Sequence, residues 1–373
     1  MKKFPAVILV IILLVFAFLM GARFAAPESG VPAETGAPAV PSPTLTPTPT
    51  PAPTPAPPAT AEKAIAQAIR AFAPTLRLEL APYGLEGADA NAIRNLYYNV
   101  LSAYPELKYA YDIAADCADG YAELSFSYMP YRTGAYVKEQ PPGSHLVPDL
   151  RAAAVMANSM AGAMDKMSIA ITDPELDVDD ISKALLQAGY GIYVCTLNSD
   201  ATEIRSVVTP GISAEEAERL LSESFAMAKD IVDRVVTPDM SEEEKARALY
   251  TYLTENVTYD FRYYNDRENM PQTSQLAYGA FKDGTAICGG YALAYKTLLD
   301  IAQVECWTVS GDAFGEGHMW NYVKIDGEYY HCDPTADRGS TSFRYFMQPA
   351  DSQDFVHSHE WDQEFLLRLT DKS

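Results

Sequence analysis

Apolar residues recur at helical spacing behind Ser213: Ala217, Leu220, Leu221, Ala228, Ile231, Val232 and Val235. That period predicts an amphipathic helix, which Pro238 ends. Ser213 and Glu216 fit a capping box at its start. Ser241 and Glu244 fit a second, for a helix through Asn256 with Leu249, Tyr252, Leu253 and Val257 on its apolar face. Polar coil is expected from Tyr264 to Ser274 and a turn at Asp283-Gly284. An apolar helix then carries Tyr295, Leu298, Leu299 and Ile301. Upstream, the pattern predicts helices near 61–73, 91–102, 149–164 and 178–188. Strands are expected as a Tyr-rich pair in 107–131, at 167–171, and as two more in 191–208. The stretches 91–131 and 178–212 share a weak plan of helix, aromatic strand, turn and strand.

Two apolar runs, 318–325 and 328–335, flank Asp326-Gly327. Asp-Gly between such runs is a strong hairpin signal, and a two-residue loop fixes the register. Ile325 then pairs with Glu328, and Trp320 falls opposite Asp333. Side chains alternate with period 2, so His318 and Asp333 share a face as diagonal neighbours, with Cβ atoms roughly 7–8 Å apart. A carboxylate at that distance can orient an imidazole and stabilise its protonated form.

The segment from Asp283 to Ala292 places Cys288 where a loop enters a helix. Unpaired N–H groups and the helix dipole favour an anion there. Both favour a reactive thiolate, and the same N–H groups can serve an oxyanion. Gly289 and Gly290 keep side chains away from that spot. Spacing alone does not bring Cys288 to His318.

Cys288 opening a helix, His318-Met319-Trp320-Asn321 opening a strand and Asp333-Pro334-Thr335 on the next strand resemble the transglutaminase-like superfamily. The likeness covers roughly 211–350, and the later Tyr345-Phe346-Met347 and His359-Glu360-Trp361 resemble the usual tail. It implies an α+β fold with a papain-like core, a Cys-bearing helix packed on an antiparallel sheet. It also implies a Cys288–His318–Asp333 triad and, by analogy, Tyr278 as an aid to an oxyanion site beside Gly289. Trp320 is a further candidate for substrate contact. Cross-linking members tend to have Gln before the Cys and Trp after it, whereas Ile287 and Gly289 flank Cys288. That departure favours a protease or amidase over a cross-linking enzyme. The alternative is an inactive binding module of the cell surface.

Charge and composition add a setting. The 373 residues carry a formal net charge of −22, so nucleic acid is not an expected partner. Lys2 and Lys3 precede an uncharged stretch from Phe4 to Ala22, long enough as a helix to span roughly 28 Å, about one hydrocarbon core. An uncleaved signal anchor over 1–26 is expected, with a cleaved and secreted form as the alternative; basic residues keep the N-terminus inside. Twelve of the 26 prolines fall in 27–60, a Pro/Thr-rich linker that reaches on the order of 100 Å if extended. The expected organisation is therefore anchor 1–26, linker 27–60, a smaller α+β domain over 61–210 and a catalytic domain over 211–373. The expected substrate is a protein or peptide, including cell-wall peptide, and neither cofactor nor metal is called for. Five cysteines are too sparse for a disulfide scaffold, although Cys306 and Cys332 flank adjacent strands and could pair. His145, His357 and His359 read as surface residues and His331 as structural.

Overall fold

Residues 58–133 and 143–370 are described by the computed structural model. The expected anchor and nearly all of the linker lie outside them. Among the described residues, no helix is long and apolar enough to cross a membrane.

The first region is built from one plan used twice. Helix α1 (Ala61–Arg70), strand β1 (Thr75–Glu79), helix α2 (Ala90–Ala103) and hairpin β2–β3 (Ala110–Ala118, Tyr121–Tyr128) form a first unit. A short strand β4 (His145–Val147) leads into the second. There α3 (Leu150–Met160), β5 (Asp165–Ile171), α4 (Val178–Ala188) and hairpin β6–β7 (Tyr193–Leu197, Glu203–Val208) repeat the sequence of elements. Strand order is the same in both, β1-β3-β2 and β5-β7-β6, with β4 added parallel to β5 at the edge. The weak plan shared by 91–131 and 178–212 is therefore the second half of a larger unit. Each of the four helices starts on a residue whose side chain accepts a first-turn N–H: Thr60, Asp89, Asp149 and Asp177.

Two longer helices follow, α5 (Ala214–Val235) and α6 (Glu242–Asn256). Ser241 and Glu244 form the full reciprocal box expected of α6. At α5 only half of it forms: Ser213 caps Glu216, but the Glu216 carboxylate turns to Arg219 at 2.7 Å instead. Polar coil was expected over 264–274, and short helical turns break it up, over Arg262–Asn265, Arg267–Asn269 and Gln272–Gln275. Strands β8 (Thr258–Tyr259) and β9 (Thr285–Ala286) then pair in parallel, immediately before helix α7 (Cys288–Ile301).

The second region centres on an antiparallel sheet ordered β12-β11-β10-β13. Its strands are β10 (Cys306–Ala313), β11 (Glu316–Ile325), β12 (Glu328–Cys332) and β13 (His359–Trp361). The β11–β12 register is the one the Asp-Gly turn dictates, from Ile325–Glu328 to Asn321–Cys332. Asp326 and Gly327 have φ of 49° and 90°, as the twist-matched turn requires. Alternation then divides the sheet. Cys306, Val323, Ile325 and Cys332 join the core around α7, while Trp307, Val309, Trp320 and Tyr322 join the core of the first region.

The C-terminal segment completes the second layer. Helix α8 (Gln353–Ser358), β13 and helix α9 (Gln363–Thr370) carry Phe355, Phe365, Leu366 and Leu369 into that shared core. Asp180 of α4 meets Arg368 of α9, and Lys183 meets Asp362 at 2.8 Å. Across the same boundary, Arg151 of α3 grips Glu305 through two bonds of 2.7 and 2.8 Å. The two regions thus share buried side chains rather than merely touching.

Candidate active site

Cys288 is the first residue of α7, and Ile287 before it offers no side-chain cap. Among the described residues, the N–H groups of Cys288, Gly289 and Gly290 have no acceptor, as expected of an uncapped first turn. The chain is brought there by a buried carboxylate. Asp260 binds Arg262 through two bonds, of 2.8 and 2.9 Å, and takes a hydrogen bond from Ser274 Oγ at 2.6 Å. The Ser274 carbonyl accepts from Ile287 N–H at 2.9 Å, and Asp260 N–H donates to Ala286 at 3.0 Å. The Arg262 guanidinium holds the Asp260 carboxyl below its ordinary value.

The two glycines after Cys288 have different roles. A Cβ on Gly290 would lie 2.5 Å from the Ser274 carbonyl oxygen and 2.8 Å from Ala286 Cβ, so its absence lets α7 close onto the 274–276 loop. A Cβ on Gly289 would meet the nearest atom at 3.5 Å, ordinary contact. Gly289 therefore leaves the space in front of Cys288 open without being needed for packing.

His318 Nε2 lies 2.8 Å from Asp333 Oδ2, and the Cys288 sulfur adds to the field at the His318 ring. An ionised carboxylate only accepts, so His318 carries its proton on Nε2 and leaves Nδ1 for the thiol. Burial pulls the His318 imidazolium down, but the charge and hydrogen bond of Asp333 and the contact with Cys288 outweigh it, raising the group to about 10. Asp333 itself is fully buried. Burial pushes its carboxyl up, yet His318 and His359 hold it well below the ordinary carboxylate range.

The Asp333 carboxylate accepts four hydrogen bonds. Oδ1 takes Thr335 N–H at 2.9 Å and Ala336 N–H at 3.2 Å; Oδ2 takes His318 at 2.8 Å and His359 Nε2 at 3.2 Å. His359 was expected on a polar tail and is instead 1% exposed. The signal was available in the chain: His359 and Trp361 are two apart, as on one face of a strand, and β13 pairs its backbone with β10. His318, Asp333 and His359 are also the one group among the described residues able to hold a metal ion. Their direct hydrogen bonds already satisfy all three side chains.

Three other expectations change. Trp320 is fully buried, and its Nε1–H donates to His331 Nδ1 at 3.0 Å. It is a packing residue with no face open to substrate. Tyr278 is also buried, and its hydroxyl lies between Arg219 at 3.2 Å and Glu223 at 3.0 Å, committed to α5. Cys306 and Cys332 are free thiols, each sulfur taking a hydrogen bond at 3.4 Å, from Asn321 and from Met347 N–H. His331 is structural, as expected: burial holds it neutral, its imidazolium lowered to about 3.

Tyr259 pairs with Ala286, two residues before Cys288, and Tyr264 lies where the sequence reads as coil. Their rings stack 6.0 Å apart, and Tyr264 Oη donates to Glu316 Oε2 at 2.7 Å, two residues before His318. Phe261, Tyr264 and Phe314 are each more than half exposed. Exposed aromatics thus come from the 259–264 loop next to Cys288 and from the β10–β11 turn next to His318. A half-buried thiol, an imidazole base, a buried carboxylate and free N–H groups at a helix start can together carry out acyl transfer.

Residues 229–334 match the family model described as Transglutaminase-like superfamily. Kyphoscoliosis peptidase of Homo sapiens is 25% identical to this chain over 153 residues, which are 36% of this chain and 22% of the relative. The Mus musculus protein of the same name is 25% identical over 124 residues, 30% of this chain and 18% of the relative. The chain therefore spans about a fifth of the length of the curated relatives it matches. A solved TGase structure is 15% identical, covers 45% of this chain and 48% of its own, and superposes with a TM-score of 0.31.

Proposed function

We propose that the protein is a cysteine enzyme acting on amide or peptide bonds, on the premise that residues 229–334 match the transglutaminase-like superfamily model. The observation that carries this reading is the 2.8 Å contact with a buried Asp333 made by His318, on a strand that packs against the helix Cys288 opens. In the proposed reaction Cys288 Sγ attacks the amide carbonyl carbon after His318 Nδ1 takes the thiol proton. The carbonyl oxygen becomes an oxyanion facing the first-turn N–H groups of α7. His318 returns the proton to the leaving amine as the C–N bond breaks, giving a thioester. Water, deprotonated by His318, then attacks the thioester, releasing the acid and restoring the thiol.

Hydrolysis is preferred to cross-linking because Cys288 is partly open to solvent and the Gln–Cys–Trp context of cross-linking members is absent. The substrate class is a protein or peptide. The charged N-terminus, the apolar stretch and the Pro/Thr linker support an anchored enzyme outside the cytoplasm, held off the membrane and able to reach cell-wall peptide.

A thiol-directed, acyl-type covalent probe tests the reading on the full chain. Peptide mapping should find the adduct on Cys288, ahead of the other four cysteines, and none there in Cys288→Ser. Probe that spreads over the cysteines with no preference for Cys288 would sink the proposal.

A further inference from the structure

We propose that Ser358 and His359 form a positioning pair for the catalytic carboxylate, holding Asp333 so that His318 keeps its working tautomer. The inference rests on the acyl-transfer reading of Cys288, His318 and Asp333. It lies outside the segment matched by the family model, which ends at 334.

The geometry is specific. His359 Nε2 is 3.2 Å from the Asp333 oxygen that binds His318, and His359 Nδ1 is 2.9 Å from Ser358 Oγ. Asp333 is an acceptor only, so His359 must donate through Nε2, the same tautomeric demand placed on His318. The His359 ring is fixed on its other sides. Phe355 stacks on it at 3.9 Å, Trp320 meets it edge-on at 5.0 Å, and its backbone pairs with Ala313. The β13 pairing is itself close: a Cβ on Gly311 would sit 2.2 Å from the Glu360 carbonyl oxygen.

Filling space does not account for a donor at this place. A buried aromatic among Phe355, Trp320 and Tyr345 could have been phenylalanine. The imidazole instead supplies the second hydrogen bond to Oδ2, opposing rotation of the carboxylate away from His318. Without it, Asp333 keeps only its two backbone donors and His318, and the carboxylate can turn about Cβ–Cγ. The titratable neighbours of His359 are Asp333, His318 from β11, His331 from β12 and Tyr345 from the loop after it.

The test is the pH profile of Cys288 alkylation by iodoacetamide in the full chain, with Cys288→Ala as the blank. His359→Leu should slow alkylation at pH 6 by about 10²-fold, the scale of a catalytic group displaced by 1 Å, and move the acid limb upward. His359→Gln, which keeps an N–H donor, should stay within a few-fold of the parent. A folded His359→Leu with the parental rate and profile overturns the inference, because a merely structural role would lower stability and leave the profile in place. If His359→Leu does not fold, Ser358→Ala decides. It should shift the limb in the same direction by less, and an unshifted limb overturns the inference. A parent protein whose Cys288 reacts like an ordinary thiol across the range would instead remove the catalytic reading, and His359's role with it.

Discussion

Asp333 Oδ2 lies 2.8 Å from His318 Nε2, although the two residues are not a ladder pair. The β11–β12 ladder ends at Asn321–Cys332, and the chain beyond Cys332 turns through Asp333 so that Oδ1 caps Thr335 and Ala336. The carboxylate thus works twice, as the anchor of the turn that leaves the sheet and as the partner of the imidazole.

Removing its charge separates those two duties. Asp333→Asn keeps the shape and can still accept at Oδ1, but it presents an amide or a neutral oxygen to His318. Where an equivalent orienting Asp is neutralised, turnover falls about 10⁴-fold through the wrong tautomer. The rate of acylation by the covalent probe should fall on that order, with far less change in the thermal midpoint. An acylation rate within tenfold of the parent would argue against the proposed triad.

Two imidazoles, the partly buried His318 and the buried His331, give the fold opposite responses to pH. His318 is raised from 6.5 to about 10, so its contribution to stability is complete below about pH 6.5 and is lost as pH rises through about 10. His331 is lowered from 6.5 to about 3, so its contribution is complete above about pH 6.5 and is lost as pH falls through about 3. As far as these two groups decide it, the thermal midpoint should peak near pH 6–7 and decline on both sides. His318→Gln should flatten the alkaline side, which a pH series of thermal melts would read directly.

The glycine pair makes a sharp contrast. Gly290→Ala forces a methyl to 2.5 Å from the Ser274 carbonyl and should cost about 1–3 kcal/mol. Gly289→Ala meets only ordinary contact and should be neutral or gain up to about 1 kcal/mol from helix propensity. Urea unfolding of the two variants checks both. Equal effects would mean that the close approach of α7 to the 274–276 loop is wrong.

Trp320→Phe isolates one buried hydrogen bond. It keeps an aromatic ring in the shared core but leaves His331 Nδ1 without its donor at 3.0 Å, beside an Nε2 that already lacks a partner. A loss of about 1–3 kcal/mol is expected from an unpaired buried polar group. Chemical denaturation of the folded variant measures it.

What the sequence made legible follows from the range of the forces involved. The Asp326-Gly327 turn and the register behind it are local, and period-2 alternation carries them as far as Asn321–Cys332; Trp320 has no partner at Asp333, which lies past the ladder's end and meets His318 from the turn that leaves the sheet. The helices of the first region were readable for the same reason, down to Val178–Ala188. Cys288 was placed correctly at the start of a helix, while its approach to His318 depended on resemblance, since contacts across thirty residues leave no periodic trace. His359 was misread because its two-residue spacing from Trp361 is a short signal, and its burial comes from Phe355, one helical turn earlier, and from Trp320 across the sheet. Trp320 and Tyr278 were misread in the other direction. Both have chemistry suited to a site, and both spend it on internal partners.

The placement of β13 and α9 also sets an order of assembly. In chain order the helix with Cys288 and the hairpin with His318 and Asp333 precede the strand that brings His359 to Asp333 and the helix that packs against α3. On the positioning role proposed for His359, a chain made only as far as the family core would hold a thiol, a base and a carboxylate without the lock that aligns them. The enzyme would then gain its full reactivity only once β13 had docked on β10.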